Sequence, residues 1–368
     1  MRQLHLKHLT NSTVLTMAGN ILHKWFPTTK LPLVISAPMF TVANGALAAA
    51  VTQAGGLGMV PAGMDPSANS PHLAALDEQL SIASRLLNHH PPDTATPLPI
   101  GVGFLTLLAT PDAYRANALP ILRRHRPAFV WLFGSDPAEP AYGEFVALFR
   151  DAGAEWGMRV FAQVGSVAAA RQVVRCGVDV VVAQGCDAGG HQWAEAASVM
   201  TLVPEVVDAL RGQAVAVVAG GGIMDGRGVA AALALGADGV TMGTRFVTCD
   251  EADSNAFVRK AILNASDGGS TTARSSMNDA IMGYPTWSKL YAGRVIRHPG
   301  LQDLANGVPL HEVHESFKKA VAEGDETRMV TFAGTGVGLV HKSQSAGEIV
   351  KEVRSEALAV IDKLQGSS

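Results

Sequence analysis

Along this chain, short β-branched runs alternate with longer alanine- and leucine-rich stretches of helical period. The runs at 33–39, 57–61, 99–104, 128–133, 158–164, 178–184, 214–219 and 238–242 predict eight strands, apolar on both faces as in a buried parallel sheet. Helical stretches at 43–54, 70–89, 112–125, 141–153, 167–176, 200–211 and 226–235 lie between them, each followed by glycine, proline or a polar breaker. Such strand–helix units, joined by right-handed crossovers, predict an α/β fold, the closed (β/α)8 TIM barrel, with an open doubly wound sheet as the alternative. After the eighth strand the pattern breaks. Residues 250–325 carry Gly268-Gly-Ser-Thr-Thr272, Gly283-Tyr-Pro285 and His298-Pro-Gly300 among mixed helical pieces, and predict a smaller lid over the substrate. The barrel is thus expected over 30–249, the lid over 250–325, and a C-terminal segment 326–368 whose helical run from Ala346 to Leu364 closes the barrel.

Composition supports a large core: of the 368 residues, 48% are hydrophobic and 17% charged, a balance that disfavours a disordered chain or a solvated binding module. A formal net charge of −3 gives no electrostatic reason to expect nucleic acid. Cys176, Cys186 and Cys249 form no CxxC pair and leave an odd count, which reads as reduced thiols in a cytoplasmic setting, with neither a disulfide frame nor a metal site. The first 30 residues hold Arg2, Lys7, Lys24 and Lys30, but His5, His8, Asn11 and Asn20 interrupt any signal-peptide core; organelle targeting by this segment stays open. No membrane span is expected, since no run reaches the ~18 apolar residues one requires.

The candidate chemistry lies where strands end. Following the strand Val178–Gln184, the run Gln184-Gly-Cys-Asp-Ala-Gly-Gly-His191 places an imidazole on a glycine hinge, where Gly189 and Gly190 aim His191 over a ligand at the barrel mouth. Histidine titrates near neutrality as a residue type, which suits general-base work at such a position. Strand seven runs into Gly220-Gly-Gly-Ile223 and strand eight into Thr241-Met-Gly-Thr244, the two loops that commonly cradle phosphate in barrels. Asp225 is placed to begin the next helix, and Arg245 either supplies charge or pairs at the rim. At strand one, Ala37-Pro-Met39 offers an apolar backbone edge for a flat heterocycle, or is a core strand ending in a turn. Gln163 and Gln184 stand at strand ends where an amide can donate to and accept from a ring such as isoalloxazine. Cys186 has no basic neighbour, and Asp187 beside it works against a thiolate nucleophile. His89-His90 and the pair His311 and His314 read as solvated, and Tyr284, Trp287 and Tyr291 either cover a ligand or form a hydrophobic cluster.

On these residues the chain resembles the nitronate monooxygenases, formerly called 2-nitropropane dioxygenases, over about residues 30–300. The resemblance rests on Ala37-Pro-Met39, Asp187-Ala-Gly-Gly-His191, Gly220-Gly-Gly-Ile223 and Thr241-Met-Gly-Thr244 taken together and in order. It implies a flavoprotein with FMN as cofactor, the phosphate at Gly221, Gly222 and Thr241, Met242, Gly243 and Thr244, the ring near Ala37, Pro38, Met39, Gln184 and Gly189, and His191 as catalytic base. It further implies a small-molecule nitronate or nitroalkane substrate, O2 as co-substrate, and a carbonyl compound and nitrite as products. Two positions depart from the family pattern: Gly103 stands where many bacterial members carry Asn, and Tyr291-Ala-Gly-Arg294 replaces a frequent Tyr-Asp-Gly-Arg.

A similar Ala-Gly-Gly-His run occurs in FMN-dependent enoyl-acyl-carrier-protein reductases, which use NAD(P)H and give the alternative activity. The inosine-monophosphate dehydrogenases are more distant, because their strand-six nucleophile loop does not resemble Asp187-Ala-Gly-Gly-His191. A non-catalytic flavin- or phosphate-binding protein is the third possibility. The sequence leaves the oligomeric state open.

Overall fold

The computed structural model describes residues 20–89, 96–284 and 287–366; the N-terminal segment before Asn20, His90, and Pro285 lie outside the described residues. Eight parallel strands form one sheet: β1 Val34–Ser36, β2 Gly58–Pro61, β3 Leu98–Leu105, β4 Pro127–Phe133, β5 Arg159–Val164, β6 Val180–Gln184, β8 Ala216–Gly220 and β9 Gly239–Met242. Their order, β1-β9-β8-β6-β5-β4-β3-β2, is that of a wound barrel, and the sheet closes on itself between its first two strands. There Leu57 N donates to Val34 O at 3.0 Å and Ser36 N to Leu57 O at 3.1 Å. The barrel predicted from periodicity is therefore the fold. β1, β6, β8 and β9 are buried along their whole length, which is why their sequences run apolar rather than alternating.

Helix starts follow their capping residues. Asn44, Ser70, Ser166, Ser198 and Asp225 each accept a backbone N–H of the first turn, and Ser345 forms a reciprocal capping box with Glu348. The stretch predicted as one helix at 112–125 is two, Pro111–Asn117 and Leu119–His125; Pro120, without an N–H, sits in the first turn of the second. Inside the barrel, Phe129 and Phe161 stack with ring centroids 4.5 Å apart. Gly101 makes this possible, because a Cβ there would sit 2.3 Å from the Phe129 ring.

The C-terminal helix Ala346–Leu364 packs between the helices Gly45–Gln53 and Gly226–Ala234, and so completes the outer ring. Its Arg354, 8% exposed, donates to the carbonyls of Pro32, Ala54 and Gly55 at 3.3, 2.9 and 3.0 Å, tying this helix to the start of the barrel. Burial lowers the pKa of this guanidinium. Arg354→Met removes the guanidinium donor from all three carbonyls, of which Gly55 O keeps a bond from Lys30 N, and is expected to lower stability by about 2 kcal/mol, read from the midpoint of urea unfolding.

Three further strands form a separate antiparallel sheet, β10-β11-β7, from β7 Gly190–Trp193, β10 Thr272–Ser275 and β11 Tyr291–Ile296. β7 was not among the predicted strands: its four residues are too few to show a period, and its partner β11 lies far away in sequence. The segment after β9 thus adds strands to the loop that follows β6.

Candidate active site

At the top of the barrel, Gln184 of β6, Gly220 of β8 and Thr241 of β9 stand in register as one row across three neighbouring strands. A Cβ on Gly220 would lie 2.6 Å from the Thr241 methyl, so the glycine lets Thr241 pack close. Gln184 and Thr241 are 9% and 8% exposed, and Gln184 Oε1 and Thr241 Oγ1 are both buried without a hydrogen-bond partner. Unmet polar atoms of this kind are uncommon in a folded protein and call for a ligand or water.

Above this row the chain turns through Gly221 at φ +114° and Gly222 at φ +72°, backbone that side-chain-bearing residues rarely adopt. Asp225 caps the helix Gly226–Ala234 through the N–H groups of Arg227 and Gly228, as expected. On the other side, Ala37 N donates to Met242 O at 2.9 Å, which brings Ala37, Pro38 and Met39 beside the end of β9. Ala37, Pro38, Met39 and Gly243 are half-buried, and a Cβ on Gly243 would lie 3.6 Å from both Ala37 Cβ and Met39 Sδ. The strand predicted to reach Met39 stops at Ser36, so these three residues edge the mouth rather than the ladder. Gly103 now has a reason: a Cβ there would sit 2.3 Å from Pro38 Cβ.

A segment that sequence reasoning missed, Phe332-Ala-Gly-Thr-Gly336, lies across both glycine loops. Gly334 N donates to Thr244 Oγ1 at 3.0 Å and Thr335 N to Asp187 O at 2.9 Å. Added Cβ atoms show how tight the approach is: 2.5 Å from Gly189 to Ala333 C, 2.6 Å from Gly334 to Asp187 O, and 2.6 Å from Gly336 to Gly222 O. Its signal was the alternation Gly334, Gly336, Gly338. A cavity of about 220 Å³ remains beside the loop, bounded by Asp187, Gly221, Gly222, Gly228, Thr335 and Gly336.

His191 lies on β7, paired with Gly293 of β11, and not on a free hinge. Of its two glycines only Gly190 has positive φ, +72°; Gly189 is needed for the close approach of Ala333. The imidazole Nε2 lies 3.0 and 2.9 Å from the two carboxylate oxygens of Asp279, with the side chains 20% and 6% exposed. Trp287 stacks on the ring at 4.0 Å and 10°, and Phe332 flanks it at 5.4 Å. Gln184 Nε2 donates to the His191 carbonyl at 3.1 Å, joining this group to the barrel row. Asp279 escaped sequence reasoning because nothing local distinguishes it; only the pairing of β7 with β11 brings it near.

The other candidates divide. Trp287 and Tyr291 join Phe133 and Trp193 in one aromatic cluster, whereas Tyr284 is 55% exposed and lies apart. Gln163 Oε1 accepts from Trp131 Nε1 at 2.9 Å. Arg245 turns away from the loops: it is 6% exposed and donates to Lys342 O and Gln344 Oε1. His314, expected to be solvated, has its Nδ1 3.0 Å from Ile281 O and packs under Gly283. Burial, then Asp187, pushes the Cys186 thiol up, against a nucleophilic role. Among the described residues no group of three or more His, Cys, Asp or Glu side chains is placed to hold a metal ion, and no helix is long and apolar enough to cross a membrane.

Comparison with known proteins identifies the family. The family model for nitronate monooxygenase matches residues 150–356. The nitronate monooxygenase of Neurospora crassa is 46% identical over 357 residues, covering 94% of each chain, and that of Metarhizium robertsii is 37% identical over 92% of this chain and 95% of its own. Among solved structures, FabK from Thermotoga maritima superimposes with a TM-score of 0.71 at 27% identity, covering 94% of this chain and 98% of its own. Nitroalkane oxidase from Streptomyces ansochromogenes gives 0.70 at 25% identity, with 93% and 99% covered. With a family model matching more than half of the chain and relatives similar along nearly its whole length, this protein is an oxidoreductase belonging to the nitronate monooxygenase family.

Proposed function

We propose that the barrel mouth binds FMN and that the enzyme oxidises alkyl nitronates, and nitroalkanes after deprotonation, with O2 to a carbonyl compound and nitrite. The observation that carries this reading is the row Gln184–Gly220–Thr241, which presents two unpartnered buried polar atoms directly beneath the glycine loops. Gln184 Oε1 is a ready acceptor for a ring N–H, and Thr241 Oγ1 a ready donor to a ribityl or phosphate oxygen. Backbone N–H groups of Gly221, Gly222 and Gly243 would meet the phosphate, as the turns after the last two barrel strands do in other barrels. Thr244 Oγ1 already accepts from Gly334 N, and its own proton remains free to donate. Ala37, Pro38 and Met39 would edge the ring.

When bound, FMN supplies the two-electron oxidising power and the reaction with O2 that no side chain here offers. The chain contributes a base, an orientation and a cover. His191 takes the acidic proton α to the nitro group when the substrate arrives neutral; a nitronate anion arrives without that proton and needs no base. Trp287 and Phe332 form an apolar cover around the imidazole that keeps water from competing for it.

Purified protein should carry a flavin absorbance spectrum, and the flavin released by denaturation should co-elute with FMN on chromatography. Colourless protein that takes up no added FMN contradicts the proposal. Because Arg245 faces the C-terminal segment, Arg245→Met is expected to lower Tm by a few degrees while leaving FMN retention unchanged; loss of FMN at unchanged Tm would place that guanidinium at the phosphate instead.

A further inference from the structure

Asp279 has no other visible employment. It is 4% exposed, and among the described residues no side chain other than His191 bonds its carboxylate. A buried carboxylate is costly unless it is paired and hydrogen-bonded, so its place against the imidazole is a built feature. The support behind it is equally specific. Asn278, fully buried, donates through Nδ2 to Gly293 O at 3.0 Å and to Ser275 O at 3.2 Å, fastening the helix Asn278–Met282 to β11. Gly293 is the register partner of His191. One side of this arrangement therefore fixes the carboxylate and the other fixes the ring, through the same pair of residues on neighbouring strands.

From this geometry we infer that Asp279 is a positioning residue that holds His191 in the Nε2–H tautomer, so that Nδ1 is the basic atom. An ionised carboxylate only accepts, so the ring must present N–H at Nε2. The lone pair then lies on Nδ1, which among the described residues has no hydrogen-bond partner. In the proton transfer, the C–H bond α to the nitro group breaks, its electron pair stays on the substrate as the nitronate, and the proton goes to Nδ1. The imidazolium so formed keeps its Nε2–H on Asp279, whose carboxylate accepts that bond and faces the new charge. Trp287, stacked at 4.0 Å, prevents the ring from turning over to exchange its two nitrogens. Asp279 comes from the segment after the barrel strands, so the base is assembled from two parts of the chain and is complete only when they are docked.

The inference rests on His191 being the base, and the test separates the two claims. In wild-type enzyme, 15N NMR of the His191 imidazole should show N–H character at Nε2 and a bare Nδ1, with or without FMN. In Asp279→Asn, whose amide can donate to Nε2, the population should move to the Nδ1–H tautomer. That change should lower kcat/KM for a neutral nitroalkane by ~10²-fold or more and leave kcat/KM for the preformed nitronate within about threefold. Asp279→Glu, which keeps an accepting carboxylate, should recover part of the nitroalkane activity. A wild-type ring already in the Nδ1–H form overturns the assignment, as does a nitroalkane rate untouched in Asp279→Asn, or an equal loss for both substrate forms. If His191→Asn itself leaves nitroalkane turnover unchanged, it is the base reading that fails, while the tautomer measurement still decides what Asp279 does to the ring.

Discussion

Replacing His191 with asparagine should lower kcat/KM for neutral nitroalkanes by about 10²- to 10⁴-fold, the range that removing a positioned general base usually costs. The same variant should turn over preformed nitronates at close to the wild-type rate, because the proton in question is already gone. Asparagine keeps the β7–β11 pairing, which is made by backbone, and keeps a polar group near Asp279. FMN should also stay bound, since none of the phosphate-loop or strand-row contacts involves the imidazole. The comparison is made in one assay, following nitrite release from the nitroalkane and from its nitronate at matched pH. Equal losses for both forms would mean that His191 orients the substrate or shapes the pocket and does not act as a base.

The second large effect is expected at the glycine loop proposed to hold the FMN phosphate. Gly222 has φ +72°, and a Cβ there would lie 2.9 Å from Asp187 Cβ and 3.8 Å from Thr335 Oγ1. Valine at this position must strain the backbone or move the loop, at a cost of about 1–3 kcal/mol. Where the loop moves, its N–H groups leave the phosphate, and FMN affinity should fall about 10- to 100-fold, which corresponds to the same range of energy. A control separates loop geometry from general strain. Gly212 has φ +82° with nothing within 4 Å of its Cβ position, so Gly212→Val carries similar backbone strain away from the site and should destabilise without changing FMN affinity. Fluorescence titration of the two apoproteins with FMN makes the comparison; equal affinities would move the phosphate elsewhere.

The barrel was readable in the sequence because its strands are largely buried and five of the helices that follow them start at side-chain caps, Asn44, Ser70, Ser166, Ser198 and Asp225, so burial and local chemistry agree. The row formed by Gln184, Gly220 and Thr241 was readable residue by residue, since strand ends carry their own turn signals. The hidden parts depend on pairing between distant segments. β7 is four residues long, and its strand character comes from β11, about a hundred residues later. Asp279 belongs to a five-residue helix whose place is set by the bond from Asn278 Nδ2 to Gly293 O of β11 and by the contact of His314 Nδ1 with Ile281 O, and neither contact leaves a local pattern. The segment Ala333–Gly338 did leave a trace in its alternate glycines, of which Gly334 and Gly336 are where it comes closest to the loops after β6 and β8. For Arg245 the sequence left two courses open, and the structure takes the second: beside the glycine turn in sequence, it pairs with Lys342 O and Gln344 Oε1 in space.

The central claim, that this barrel mouth oxidises nitronates, is tested most directly by oxygen uptake. FMN-loaded enzyme mixed with an alkyl nitronate in an oxygen electrode, without any nicotinamide nucleotide, should consume O2 and release nitrite in step with it. Absence of nitronate-dependent uptake, together with NADH-dependent reduction of a crotonyl thioester by the same preparation, would contradict the account and assign the site to enoyl reduction.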